Sequence, residues 1–123
     1  MISHDGFLIS APEYNSSITG VLKNTIDWVS RPDDDDETPL AAFRGKVVIL
    51  MSASPGALGG LSGLVHLRSI LDNLGCIVLP QQVAIPKANE AFREDGALID
   101  ERRHDRIVGL GRTLVDTTSR LLQ

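Results

Sequence analysis

Apolar residues follow two rhythms along the chain. Residues 6–11 read Gly-Phe-Leu-Ile-Ser-Ala, a nearly continuous apolar run that meets Pro12, which lacks the N–H of a ladder hydrogen bond. That pattern predicts a buried strand ending there. Between Ser17 and Arg31, the apolar Ile18, Val21, Leu22, Ile26 and Val29 recur at helical spacing, and Pro32 with the acidic run 33–37 turns the chain into a solvated loop. An amphipathic helix is expected over 17–31. A second buried strand is predicted over 46–52 through Val47, Val48, Ile49, Leu50 and Met51, opening into a glycine-rich loop at 54–60. Leu64, Leu67, Leu71 and Leu74 then mark a helix, with Gly75 where a left-handed helix terminus belongs. Residues 76–79 begin a third strand, punctuated by Pro80 and resuming from Val83 to Ile85. After an Asp95-Gly96 turn, Ile107, Leu110, Leu114 and Leu121 form the apolar face of a closing helix, with Arg102, Arg103 and Arg106 on its outer side.

Strands alternating with helices imply an α/β fold, a parallel sheet covered by helices on both faces. Three strands are few for such a sheet, and the first begins close to Met1, so the chain reads as one partial domain over 1–123. The 42% hydrophobic and 23% charged composition is that of an ordinary globular domain, which excludes a disordered or fibrous chain. A net charge of -4 offers no broad basic surface, so a nucleic-acid partner is not expected. No apolar run approaches the roughly 18 to 20 residues of a membrane-crossing helix, and no secretion-type start precedes the fold. The lone Cys76 cannot form an internal disulfide, and the expected compartment is the cytoplasm.

Ligands of open parallel sheets collect beyond the carboxyl ends of the strands. Two loops qualify: Pro12-Glu13-Tyr14-Asn15 with the serines after it, and the segment 54–60 carrying Ser54, Gly56, Gly59 and Gly60. Glycine lets a backbone approach a flat ligand closely and leaves N–H donors available, which suits a planar heterocycle. Other candidate chemistry is thin. Glu13 and Asp27 show no spacing that would bring them together as an acid and base. His4, His66 and His104 have no metal-ligand spacing, so no metal site is expected, and His66 beside Arg68 reads as a surface, core or subunit-contact residue. Gly109-Leu110-Gly111 lies inside a helical pattern and lacks a third glycine, and Ser62 lacks the flanking glycines of a nucleophile elbow.

The stretch Pro12-Glu13-Tyr14-Asn15, Gly20, Leu22-Lys23-Asn24, Asp27-Trp28 and Ser30-Arg31 resembles the signature of the NADPH-dependent FMN reductases of the flavodoxin-like superfamily, which include quinone and chromate reductases. The resemblance continues through Gly45-Lys46, the 54–60 loop and His66-Leu67-Arg68, and weakens after Pro86. It implies a flavodoxin-like sheet of which this chain holds the third, fourth and fifth strands in family order. It also implies FMN as cofactor, with Pro12, Glu13, Tyr14 and Asn15 bordering the ring and Ser54, Gly56, Gly59 and Gly60 lining its other margin. The implied reaction takes hydride from NADPH and passes electrons to a quinone, metal oxyanion or similar small acceptor, in a homodimer or homotetramer. Because the cofactor carries the redox chemistry, no catalytic side chain is required. Family members also have a Gly-Ser-x-Arg loop that grips the FMN phosphate, and this sequence contains none. The alternative is a non-catalytic piece of the fold that serves as an assembly partner.

Overall fold

A computed structural model describes residues 1–32 and 38–123; the acidic run at 33–37 lies outside the described residues. The elements in chain order are β1 (Gly6–Ser10), β2 (Glu13–Tyr14), β3 (Ser17–Ile18), α1 (Gly20–Val29), β4 (Val47–Ala53), α2 (Leu61–Asn73), β5 (Ile77–Ile85), α3 (Ala88–Ala91) and α4 (Glu101–Leu121). A parallel sheet runs in the order β1-β4-β5, with β2 and β3 as a separate antiparallel hairpin.

The central strand β4 explains why its sequence is apolar without alternation, since both of its faces are covered. Val48 and Leu50 point into a core with Leu64, Leu67 and Leu71 of α2, Ile26 of α1 and Phe43, all buried. Ile49 points the other way, to Val83, Ile85 and Leu110 of α4. Full burial of each such side chain is worth about 1.5–3 kcal/mol, so β4 and α2 together anchor the fold. The expected α/β sheet with helices on both faces is therefore present.

Helix ends follow local chemistry. Thr19 caps α1 by accepting from the Leu22 N–H at 3.0 Å, and Asp100 caps α4 by accepting from Arg102 and Arg103. Gly75, at φ 85°, ends α2: its N–H donates to the Asp72 carbonyl and that of Cys76 to the Leu71 carbonyl, both at 3.0 Å. These are the two bonds of a Schellman motif.

Five expectations need correction. The first strand, expected to be buried, contains no buried residue: Gly6, Phe7 and Ile9 are half-buried and Leu8 and Ser10 exposed, β1 being flanked by β4 on one side. The helix expected over 17–31 starts only at Gly20, because Ser17–Ile18 pairs back on Glu13–Tyr14. The loop expected from Pro12 is thus a hairpin, turning through Asn15 and Ser16 at φ 51° and 62°, the two positive angles of a type I′ turn. Pro80 does not divide the third strand; β5 is an edge where a missing N–H is tolerated, and the ladder shifts register between Val48 and Leu50. The Arg68 guanidinium spans that irregularity, donating to the carbonyls of Val78 (3.2 Å) and Leu79 (2.9 Å) and to Gln82 Oε1 (2.9 Å). On α4 the packed face ends at Leu114, and Leu121 is left 58% exposed. Arg102 and Arg106 are exposed as expected, and Arg103 is half-buried. The Asp95-Gly96 turn is in place, with Gly96 at φ 84° and the Ala97 N–H on Asp95 Oδ1. Among the described residues, no helix is long and apolar enough to cross a membrane.

Cys76 is buried, its Sγ donating to the Phe43 carbonyl at 3.3 Å. Burial, and secondarily the Asp72 carboxylate, pushes the thiol up to about 11 from its ordinary 9.0. Because folding favours the protonated thiol, its stabilisation is complete below about pH 9 and is lost as pH rises towards 11. The urea midpoint of the native chain is expected to fall over that window more steeply than that of Cys76→Ala, and thiol reagents at pH 8 should modify Cys76 only on unfolding.

Candidate functional site

Parallel strands deliver their carboxyl ends to one edge of the sheet, and two connections leave side by side there. After β1, the Ala11 N–H still bonds the Met51 carbonyl (2.9 Å), and Pro12 then releases the chain into the β2–β3 hairpin. After β4, residues 54–60 lead into α2. The hairpin rests on the start of α2, where a side chain at Gly63 would lie 3.1 Å from the Ser17 carbonyl oxygen.

Glu13 fixes this arrangement. The N-cap of α2 is Gly60, which has no side chain to offer, and Glu13 Oε2 accepts from the Gly63 N–H at 2.9 Å in its place. A carboxylate at the positive end of a helix dipole satisfies one of its orphan donors and gains electrostatically. A second tie joins His66 Nδ1 to Ser17 Oγ at 2.8 Å. Asp27 is held elsewhere on α1 by Lys23 at 2.8 Å, so the structure does not bring Glu13 and Asp27 together.

The second loop is pinned from beneath. Buried Ser52 Oγ donates to the Gly59 carbonyl at 2.6 Å, the Ser54 N–H donates to Ile85, and the Lys87 N–H donates to Gly56. Gly59 and Gly60 sit buried at φ 65° and 90°. A Cβ on Gly59 would stand 2.5 Å from the Ile85 carbonyl carbon, and one on Gly60 2.9 Å from Ser52. Both glycines are thus required by packing against β4 and β5. Gly56 is exposed and its N–H takes Ser54 Oγ at 3.3 Å.

What faces outward is a shelf of backbone donors and one aromatic ring. Among the described residues, nothing accepts the N–H groups of Asn15, Ser16, Ala57 or Leu58, all of them exposed. Tyr14 leaves 64% of its surface in solvent and Pro12 is exposed beside it, while Glu13 is turned to α2. The hairpin's one carboxylate is therefore spent internally, and the shelf is donor-rich. Such a surface fits the flat ring of FMN, whose pyrimidine edge carries oxygen and nitrogen acceptors. Ser52, His66 and Gly63 position the site without having been singled out for it, and Ser17 does so from within the first candidate loop. Ser52 left one signal, a hydroxyl closing an otherwise apolar strand.

Residues 1–90 match the family model described as NADPH-dependent FMN reductase. The chain belongs to that family. It is 39% identical over 104 residues to an NAD(P)H-dependent FMN reductase of Pseudomonas aeruginosa, a match covering 84% of this chain and 53% of that protein. A quinone reductase of Escherichia coli is 39% identical over 107 residues, covering 85% and 54%. Among solved structures, FerB, a flavoenzyme NAD(P)H:(acceptor) oxidoreductase from Paracoccus denitrificans, superposes with a TM-score of 0.79 at 28% identity, over 97% of this chain and 63% of that one. The fold is accordingly flavodoxin-like, and the chain spans about half the length of the curated relatives it matches.

Removing the borrowed cap by Glu13→Ala should cost about 1 kcal/mol, roughly 4 °C in melting temperature. Gly59→Ala, which combines a positive φ with a backbone clash, should cost at least about 2 kcal/mol. Differential scanning calorimetry of both variants checks the order.

Proposed function

We propose that this chain forms the ring-facing part of an NAD(P)H-dependent FMN reductase acting on quinones or similar small oxidants in the cytoplasm. The observation that carries the reading is the donor-rich shelf at the carboxyl edge of the sheet, with Tyr14 exposed on it and Glu13 turned away. Bound FMN would supply the two-electron chemistry, between NADPH as reductant and a quinone, metal oxyanion such as chromate, or related acceptor.

The chain's own contribution is positional. Pro12, Glu13, Tyr14 and Asn15 would border the ring through backbone and the Tyr14 side chain, and Ser54, Gly56, Gly59 and Gly60 would shape the opposite margin. Exposed N–H groups of Ala57 and Leu58 would meet a ring that gains negative charge on reduction, where fixed dipoles cost no reorganisation. No general base or nucleophile is needed. A homodimer or homotetramer would help enclose the shelf. The names of the relatives from P. aeruginosa and E. coli support an FMN- and quinone-linked activity for the family. The alternative kept beside it is an assembly piece of the fold that does not itself catalyse.

Titration of FMN with the purified chain, followed by flavin fluorescence, should show saturable quenching. Tyr14→Ala should weaken binding up to about tenfold, the effect of losing one ring contact. Flavin fluorescence that ignores a chain shown to be folded by circular dichroism would overturn the reading. Flavin binding without NADPH oxidation in the presence of a quinone would select the assembly reading.

A further inference from the structure

Beside the shelf, the carboxyl edge of the sheet carries a hollow of about 320 Å³, lined by Ala57, Pro86, Lys87, Glu90, Ala91 and Arg103. It lies between the 54–60 loop, the turn after β5 and the first turn of α4. Ala57 belongs to both places, since its N–H is one of the outward donors of the shelf and the residue also walls the hollow. In the 2-1-3-4-5 order of a flavodoxin-like sheet, further strands adjoin β1, and the hollow stands at the other margin, beyond the ends of β4 and β5.

Lys87 is held there at a conformational cost. Its φ of 49° and ψ of 48° are left-handed, a region that disfavours an L side chain and usually goes to glycine. Its N–H donates to the Gly56 carbonyl at 3.2 Å and that of Ala88 to the Ser54 carbonyl at 3.0 Å, so the turn is fastened to the loop that forms the shelf. The Lys87 ammonium is unspent: among the described residues, nothing takes it. Arg103 reaches the hollow from α4 with its Nε 3.6 Å from Asp100 Oδ2, and its two terminal nitrogens have no partner among the described residues. Glu90 alone is acidic among the residues of the wall, so two cations face one anion. A strained lysine whose charge serves no internal contact, joined by an arginine from a separate element, is suited to an anion from outside.

We propose that Lys87 and Arg103 are specificity residues for the reductant, taking the 2′-phosphate of NADPH in this hollow while its nicotinamide reaches the adjoining shelf. The proposal rests on the flavin reductase reading and adds the groups that tell NADPH from NADH, which differ by that one phosphate. A phosphate monoester carries close to two negative charges at neutral pH and presents three acceptor oxygens, enough for an ammonium and a guanidinium together. The hollow has the volume of about ten water molecules, which is room for a phosphate with its sugar and too little for a whole dinucleotide.

Calorimetric titration of the flavin-free chain with adenosine 2′,5′-bisphosphate and with 5′-AMP isolates the phosphate in question. The bisphosphate should bind at least about tenfold more tightly, and NADPH should lead NADH by a similar ratio. Lys87→Gln and Arg103→Gln should each cut that preference about three- to tenfold and leave 5′-AMP unchanged, whereas Glu90→Gln should raise it about twofold. Lys87→Gly should lose the preference as Lys87→Gln does yet melt no lower than the native chain, a pairing that a merely structural lysine would not give. Arg120→Gln, exposed at the far end of α4, should bind as the native chain does. Equal affinity for the two adenosine ligands, inorganic phosphate binding as tightly as the bisphosphate, no binding by a chain that circular dichroism shows to be folded, or a preference that survives both Lys87→Gln and Arg103→Gln would overturn the proposal. No flavin is present in these titrations. A chain that binds flavin without preferring the 2′-phosphate refutes this proposal alone, and one that prefers the 2′-phosphate but ignores flavin refutes the proposed function alone.

Discussion

Burial of β4 on both faces is the constraint from which the rest of the structure follows. A strand whose side chains all need cover must lie between two layers, and here α1 with α2 supplies one layer and α4 the other. Parallel neighbours then bring every strand's carboxyl end to the same side. The hairpin and the 54–60 loop are adjacent for that reason alone. The site is a by-product of how an apolar run at 47–50 is buried.

The two loops acquire definite shape because polar groups beneath them are used up. Glu13 completes a helix start that begins with glycine, Ser52 holds the Gly59 carbonyl, and His66 holds Ser17. The Glu13 and Ser52 bonds turn those side chains inward and leave main-chain N–H groups on the outer surface. A carboxylate exposed on the shelf would oppose a ring that becomes anionic, so the inward turn of Glu13, which serves the fold, also suits the proposed chemistry.

Much of this is legible from residue order. The β4 run, the Leu64, Leu67 and Leu71 stripe and Gly75 at the end of α2 stand where periodicity and helix-capping chemistry put them. The hairpin was hidden because two-residue strands carry no detectable period, and its turn uses Asn-Ser where Asn-Gly would have announced it. Continuity of β5 through Pro80 depends on that strand being an edge, a property of the sheet as a whole. The role of Glu13 rests on a partner 50 residues away, beyond anything local spacing can report. Gly59 and Gly60, which suggested close approach to a ligand, prove to answer a close approach between segments of the chain itself.

The irregularity in β5 has a wider meaning. With Pro80 lacking a donor and Arg68 occupying the Val78 and Leu79 carbonyls, that margin of the sheet is blunt. A blunt margin offers little to a neighbouring strand, so this side of the sheet resists pairing with other chains. The same guanidinium that repairs a local fault in the ladder thus also shields that margin from edge-to-edge association.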